Sequence, residues 1–143
     1  MYLVDTSVWI EFLRRRGSPK IQAELAPLIR NGSIALTEWI ILELMAGIGT
    51  GENSGDLLGR LAPVQRLSLP DTGWNATWDM AAHLRKKGVS PSAADCLIAT
   101  VAILHETPLI HCDSDFSLIA AHEPLTTLDW TEYLAAGRVR KDK

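Results

Sequence analysis

The chain alternates short apolar runs with longer segments in which apolar residues recur at helical spacing. The first run, residues 2–4, predicts a buried strand that ends at Asp5, and the helical spacing that follows from Ser7 stops at the basic run and glycine of residues 14–17. The same reasoning predicts further strands at 33–36, 64–69, 109–110 and 125–128, and further helices at 19–30, 37–46, 56–61, 71–87, 90–105 and 114–121. Strands that alternate with helices in this way predict an α/β fold, with a mainly parallel sheet covered on both faces.

Composition indicates a globular protein and excludes bulk positive charge as its means of binding a partner. The 143 residues are 47% hydrophobic and 22% charged, which excludes disordered and fibrous chains. Fourteen Lys and Arg against seventeen Asp and Glu give a net charge of −3. A polyanion must therefore be held by a local patch or through a metal.

No linker, repeat or low-complexity block interrupts the pattern, so we expect one domain over residues 1–137 and a basic tail, residues 138–143, that frays. Cys96 and Cys112 cannot make a disulfide framework, and the first residues do not read as a secretion signal, so we expect a reducing, cytoplasmic location. The longest apolar stretch, residues 93–104, contains Asp95 and is shorter than the ~20 residues that span a bilayer. We therefore expect no membrane partner.

Two predicted strands are followed at once by acidic residues. Asp5 ends the first strand, and Asp113 and Asp115 follow the strand at 109–110. Ligands of parallel sheets bind at the carboxyl ends of the strands, so these carboxylates should share one edge. The alternative is that Asp5 and Asp113 are only helix N-caps, a role that Asp fills well.

Two further acids stand in apolar helices. Glu43 has apolar neighbours along its helix, and Asp95 leads a helix whose composition is typical of complete burial. A buried charge is costly unless it is paired or bound to metal. The alternatives are that Glu43 reaches water at an edge and that Asp95 belongs to a capping box with Ser92.

Four acids in such positions, with no buried base to neutralise them, would repel one another unless a divalent cation lay between them. Ligand sets made only of oxygen favour hard cations such as Mg²⁺ or Mn²⁺. Such cations serve phosphodiester chemistry, because they bind the scissile phosphate and activate water. The pattern therefore favours a metal-dependent enzyme acting on phosphodiesters.

These acids lie in four blocks that together resemble the PIN-domain ribonucleases and, more narrowly, the VapC toxins of toxin–antitoxin pairs. The resemblance covers essentially the whole chain in order and length. The blocks are Met-Tyr-Leu-Val-Asp5-Thr6-Ser7-Val8-Trp9-Ile10, Leu42-Glu43-Leu44, Ala94-Asp95-Cys96-Leu97-Ile98-Ala99 and Asp113-Ser114-Asp115-Phe116.

The resemblance implies a three-layer α/β/α sandwich with a short, mainly parallel sheet, and a Mg²⁺- or Mn²⁺-dependent endoribonuclease that hydrolyses RNA with a metal-activated water. It also implies a homodimer that is silenced by a cognate antitoxin protein. By position, the metal-binding and catalytic acids are Asp5, Glu43, Asp95 and Asp113, and the auxiliary residues are Asp115, Thr6 and Ser7.

One residue departs from the pattern of the family. The position two before Asp113 is usually Thr or Ser, and here it is His111. The change could alter the hydrogen bond that orients Asp113, or bring a titrating imidazole near the metal.

Two other functions stay open. A Mg²⁺-dependent phosphoryl-transfer domain would use Asp5 as its nucleophile, but no lysine follows a strand end to complete such a site. A catalytically silent PIN-like module would only bind protein or RNA, but none of the four acids is missing. Arg14, Arg15 and Arg16 could contact RNA or an antitoxin, or simply end their helix favourably, and the tryptophans could lie in the core or at a dimer interface.

Overall fold

A computed structural model describes residues 1–134. Five parallel strands form one sheet in the order β3-β2-β1-β4-β5. The strands are β1 (Tyr2–Val4), β2 (Ile34–Leu36), β3 (Gln65–Arg66), β4 (Leu109–His111) and β5 (Thr127–Asp129). The helices are α1 (Thr6–Leu13), α2 (Pro19–Arg30), α3 (Glu38–Ala46), α4 (Ser54–Leu61), α5 (Gly73–Lys86), α6 (Ala93–Leu104) and α7 (Ser114–Ala120), with a 3-10 helix at Thr131–Leu134. The predicted tail at 138–143, and the end of the predicted domain at 135–137, lie outside the described residues.

The sheet is covered on both faces, as the sequence predicted. Side chains alternate between the two faces of a strand, yet every residue of β2 and β4 is buried. Such a strand needs helices above and below it, which gives the three-layer α/β/α sandwich. α1 packs against α2 and α3, and α5 packs against α6.

The direction in which successive strands are added to the sheet reverses between β1 and β4. The chain moves outward through β2 and β3 on one side, and through β4 and β5 on the other. A crevice opens at such a switch point, outside the carboxyl ends of the two strands that flank it. Here those strands are β1 and β4, so the fold brings the residues that follow Val4 and His111 to one place.

The predicted strand at 64–69 is shorter in the structure. Only Gln65 and Arg66 form β3, which is an edge strand with β2 as its neighbour. Both residues are exposed, and Pro70 follows closely, so neither burial nor a second partner strand extends the pairing. Thr37 stands at the N-cap of α3, but its side chain makes no capping hydrogen bond.

Solvent exposure divides the tryptophans, whose role the sequence left open, into core and surface residues. Trp9 is a core residue with 2% of its surface exposed. Trp74 and Trp78, one turn apart on α5, are 44% and 62% exposed. Within residues 1–134, every helix is too short or too polar to cross a membrane.

Candidate active site

Asp5 lies at the point where β1 gives way to α1. Its Oδ2 accepts hydrogen bonds from the Ser7 backbone N–H at 3.0 Å and the Ser7 hydroxyl at 2.6 Å, so the predicted N-cap is confirmed. The Ser7 Oγ in turn accepts from the Cys112 backbone N–H at 3.0 Å, which ties the end of β1 to the end of β4. Burial raises the pKa of Asp5 against the lowering effect of the Ser7 hydrogen bonds, and the charge of Glu43 raises it further.

Glu43 reaches the same place from α3. The Thr6 hydroxyl donates a 2.6 Å hydrogen bond to Glu43 Oε1, which fixes the direction of this carboxylate across the gap between α1 and α3. The side chain is partly exposed rather than buried, so the edge position considered for it is the one that the structure adopts. Thr6 and Ser7 thus each hold one acid, although they are adjacent in the chain.

Asp95, Asp113 and Asp115 form the tightest group of acids. Each contributes a carboxylate oxygen, and these oxygens lie within 4.8 Å of one another. Asp113 also caps α7, where its Oδ1 accepts the Asp115 backbone N–H at 2.9 Å. Ser92 caps α6 by accepting the Asp95 backbone N–H at 3.1 Å, so the capping role predicted from Ser92 is present as well.

The repulsion within this group changes the chemistry of Asp95. Burial, followed by the charges of Asp113, Asp5 and Asp115, raises the pKa of Asp95 to about 7, against a lowering hydrogen bond from Ser92. The charge of Asp5 raises the pKa of Asp95, and the charge of Glu43 raises the pKa of Asp5. The five acids therefore form one electrostatic cluster. Near neutral pH, that cluster holds a proton that an ordinary aspartate would have lost.

The chemistry of these donors fits a hard divalent cation. Among residues 1–134, no Lys, Arg or His side chain lies within ion-pairing distance of the five acids. Three carboxylate oxygens at mutual distances below 5 Å suit Mg²⁺ or Mn²⁺, which take oxygen ligands and retain several waters. Asp115, which was predicted to be auxiliary, belongs to this group of three. Asp5 and Glu43 are neighbours of the group but are not members of it.

His111 completes the surroundings of Asp113. It is fully buried, and its Nδ1 accepts the Asp113 backbone N–H at 3.2 Å. Burial lowers the pKa of this imidazole, although the carboxylates of Asp129 and Asp113 act in the opposite direction. The structure therefore gives His111 a neutral ring in contact with the backbone of Asp113.

Comparison with known proteins agrees with this geometry. The sequence model of the PIN domain family matches residues 2–122, which include every acid of the cluster. The chain belongs to the PIN domain family.

Relatives and solved structures resemble this PIN domain over most of its length. Ribonuclease VapC11 of Mycobacterium tuberculosis is 34% identical over 125 residues, which cover 84% of this chain and 92% of the relative. The crystal structure of FitAcB from Neisseria gonorrhoeae has a TM-score of 0.73 at 23% identity, with 90% of this chain and 97% of that chain covered. VapBC2 from Rickettsia felis, solved with a DNA fragment from its promoter, has a TM-score of 0.73 at 19% identity, with 90% and 98% covered.

A groove leads away from the acid cluster of this PIN domain at Glu43. Its volume is about 740 Å³, and it runs between the end of α1, the end of α3, the glycine-containing loop at 47–53 and α4. The lining combines apolar residues with the basic residues Arg14, Arg15 and Arg60 and with the acidic residues Glu52 and Asp56. From the sequence, the arginine run could contact RNA or an antitoxin or simply end its helix, and nothing in the sequence indicates that the distant Arg60 lines the same groove.

Proposed function

We propose that this protein is a metal-dependent endoribonuclease, the toxin of a toxin–antitoxin pair, that hydrolyses RNA phosphodiester bonds. The observation that carries the proposal is the convergence of five acids at the carboxyl ends of β1 and β4, with three carboxylate oxygens within 4.8 Å of one another. The names of the VapC relatives support an RNA substrate, since they are ribonucleases at 32–34% identity. The solved structures of a VapBC toxin-antitoxin system from Mycobacterium tuberculosis and of a toxin-antitoxin complex from Klebsiella pneumoniae support an antitoxin partner.

Asp95, Asp113 and Asp115 would hold Mg²⁺ or Mn²⁺, with Asp5 and Glu43 completing the acidic edge. When bound there, the cation supplies Lewis acidity at a phosphate and lowers the pKa of water. The protein's own part is positional. Ser7 and Thr6 hold Asp5 and Glu43 in place through bonds of 2.6 Å, and the caps of α6 and α7 fix the chain at Asp95 and Asp113.

The groove beside Glu43 is where we place the RNA chain. Arg15 and Arg60 line it, are exposed, and can donate charge-assisted hydrogen bonds to phosphates. Arg60→Gln should therefore raise KM about tenfold, since a hydrogen bond to a charged group contributes about 1.5–3 kcal/mol, and should leave kcat nearly unchanged. Arg30→Gln is the matched control, because Arg30 is exposed on α2 outside the groove.

The proposal also includes an oligomeric state and a location in the cell. We infer a homodimer, supported by the exposed Trp74 and Trp78 on one face of α5. We also infer a cytoplasmic location, supported by Cys96 and Cys112 being free thiols. A single domain over 1–137 stays a prediction.

The first experiment is cleavage of a pool of structured RNAs by purified protein in Mg²⁺, Mn²⁺ or EDTA, with Asp95→Asn beside the wild type. We expect cleavage in either metal, and none in EDTA or with the variant. The control is Asp79→Asn, an exposed aspartate of α5 that lies away from the cluster. Cleavage by a folded Asp95→Asn protein at the wild-type rate would remove the proposed site.

Two further measurements on the purified protein, mass spectrometry and RNA binding, separate the two alternatives. A phosphoryl-transfer domain would form a covalent phosphate on Asp5, detectable by mass spectrometry as a gain of one phosphoryl group. A silent module would bind RNA without cutting it in any metal. Asp5 already accepts two hydrogen bonds from Ser7 on the oxygen Oδ2, which supports a fixed ligand more than an attacking nucleophile.

A further inference from the structure

His111 stands where β4 passes into the loop that carries Asp113. Its side chain has 0% of its surface exposed, and its ring packs against Phe116 of α7 with 5.4 Å between the ring centroids. The ring is therefore held by β4 on one side and by α7 on the other. Its contact with Asp113 is made from a fixed position.

The hydrogen bond between the two residues determines which ring nitrogen carries the proton. The Asp113 backbone N–H donates to Nδ1 at 3.2 Å, so Nδ1 must present a lone pair. The neutral ring then carries its hydrogen on Nε2, and that atom is buried without a hydrogen-bond partner among residues 1–134. An unpaired buried donor destabilises a fold, so the Nε2 hydrogen of this ring lowers stability. The hydrogen bond at Nδ1 is the favourable polar contact that the ring makes in return.

The Nδ1 bond acts at the N-terminus of α7. Asp113 is the N-cap of that helix and accepts the Asp115 backbone N–H on its Oδ1. Holding the Asp113 backbone thereby fixes the turn from which both Asp113 and Asp115 face Asp95.

We propose that His111 is a positioning residue for the metal site: its Nδ1 anchors the backbone of Asp113 and so sets the spacing of the Asp95, Asp113 and Asp115 carboxylates. This inference rests on the proposed function, because it concerns the same acids. A ring that served only the core would act through its contact with Phe116, whereas a positioning ring acts through Nδ1. The two roles can be tested separately.

The decisive comparison uses Mn²⁺ binding, measured by calorimetry and electron paramagnetic resonance without RNA. His111→Phe keeps the ring against Phe116 and removes Nδ1, so it should weaken Mn²⁺ binding about 10- to 100-fold, as loss of an outer-shell partner does. His111→Asn returns an acceptor near the position of Nδ1 and should bind within about threefold of wild type. His122→Phe, at an exposed histidine beyond α7, is the control and should bind as wild type does.

The outcomes are distinguishable. A folded His111→Phe protein that binds Mn²⁺ as tightly as wild type overturns the positioning role and leaves the proposed function standing. Wild-type protein that binds no Mn²⁺ overturns the proposed metal site and this role together. The tautomer is measured independently in the metal-free wild type by ¹⁵N chemical shifts of the His111 ring. Hydrogen on Nε2 is the expected result, and hydrogen on Nδ1 overturns the inference even if a variant fails to fold.

Discussion

Replacing Asp95 with Asn should stabilise the metal-free protein at alkaline pH while removing its activity. Burial and the charges of Asp113, Asp5 and Asp115 raise the pKa of Asp95 from 3.8 to about 7. Asn fills nearly the same volume as Asp and carries no charge. The substitution therefore removes the repulsion and leaves the packing of α6 in place.

The sign follows from proton linkage. Between pH 4 and pH 7 the folded protein holds the Asp95 proton that the unfolded chain has lost, so the free energy of unfolding falls as pH rises through this window. Above pH 7 both states have lost the proton, and the loss of stability levels off. Below pH 4 Asp95 is neutral in both states, and the variant has no advantage.

The magnitude follows from the size of the shift. A shift of about three pH units corresponds to roughly 4 kcal/mol at 1.36 kcal/mol per unit, and partial exposure of Asp95 to solvent reduces this to about 1–2 kcal/mol. The measurement is urea unfolding in EDTA from pH 4 to pH 8. The free energy of unfolding of Asp95→Asn should exceed that of wild type by an amount that rises from near zero at pH 4 to about 1–2 kcal/mol at pH 8. The free energy of unfolding of Asp79→Asn should stay within about 0.5 kcal/mol of wild type throughout.

Metal should reverse the order of stability. Mn²⁺ at 100 times its Kd stabilises a protein with one site by about 2.7 kcal/mol, and only the wild type retains the carboxylate needed for it. Wild type should then be the more stable protein at pH 8 in Mn²⁺ and the less stable one in EDTA. The reasoning is refuted if Asp95→Asn destabilises the metal-free protein at pH 8, or if the difference does not change with pH.

Three further substitutions test separate parts of the structure. Thr6→Val removes the hydroxyl that orients Glu43 and should lower kcat about tenfold, the lower range for loss of an outer-shell partner, with an unchanged unfolding midpoint; an unchanged kcat would contradict this role. Gly17→Ala would put a Cβ 1.7 Å from the Glu11 carbonyl oxygen, so urea unfolding should show a loss of about 3 kcal/mol or more, and a loss below about 0.5 kcal/mol would contradict the close approach. Trp78→Lys should shift the protein towards monomer in light scattering, with at least a tenfold weaker dimer as for a central aromatic anchor, and an unchanged dimer would move the interface elsewhere.

Much of the fold could be predicted because hydrophobic spacing determines which face of an element is buried. The strands at 2–4 and 109–110 were predicted from short apolar runs, and a parallel sheet necessarily brings their carboxyl ends together. The sequence alone therefore predicts that Asp5 and Asp113 lie on one edge of the sheet. The predicted length of β3 is too great. The length of an exposed edge strand depends on its neighbouring strand and on nearby prolines such as Pro70, and hydrophobic spacing contains no information about either.

The detailed geometry of the site could not be predicted in the same way. Asp115 was an auxiliary residue in the sequence and is one of three acids within 4.8 Å in the structure, because the first turn of α7 directs it towards Asp95. The groove beside Glu43 joins Arg15 to Arg60 across forty-five positions of chain. Such contacts depend on how helices pack, and the periodicity of a single segment contains no information about its neighbour.

The capping and metal-binding interpretations of the strand-end acids are compatible rather than opposed. Asp5 and Asp113 both cap helices, and each capping bond in the structure falls on one carboxylate oxygen, Oδ2 and Oδ1 respectively. An ionised carboxylate offers about four acceptor positions on two oxygens, so a cap restricts the orientation of the group without exhausting it. The helix N-terminus also favours negative charge. A cap therefore holds a carboxylate in one orientation at the end of a parallel strand, which is what the group needs in order to bind a cation there.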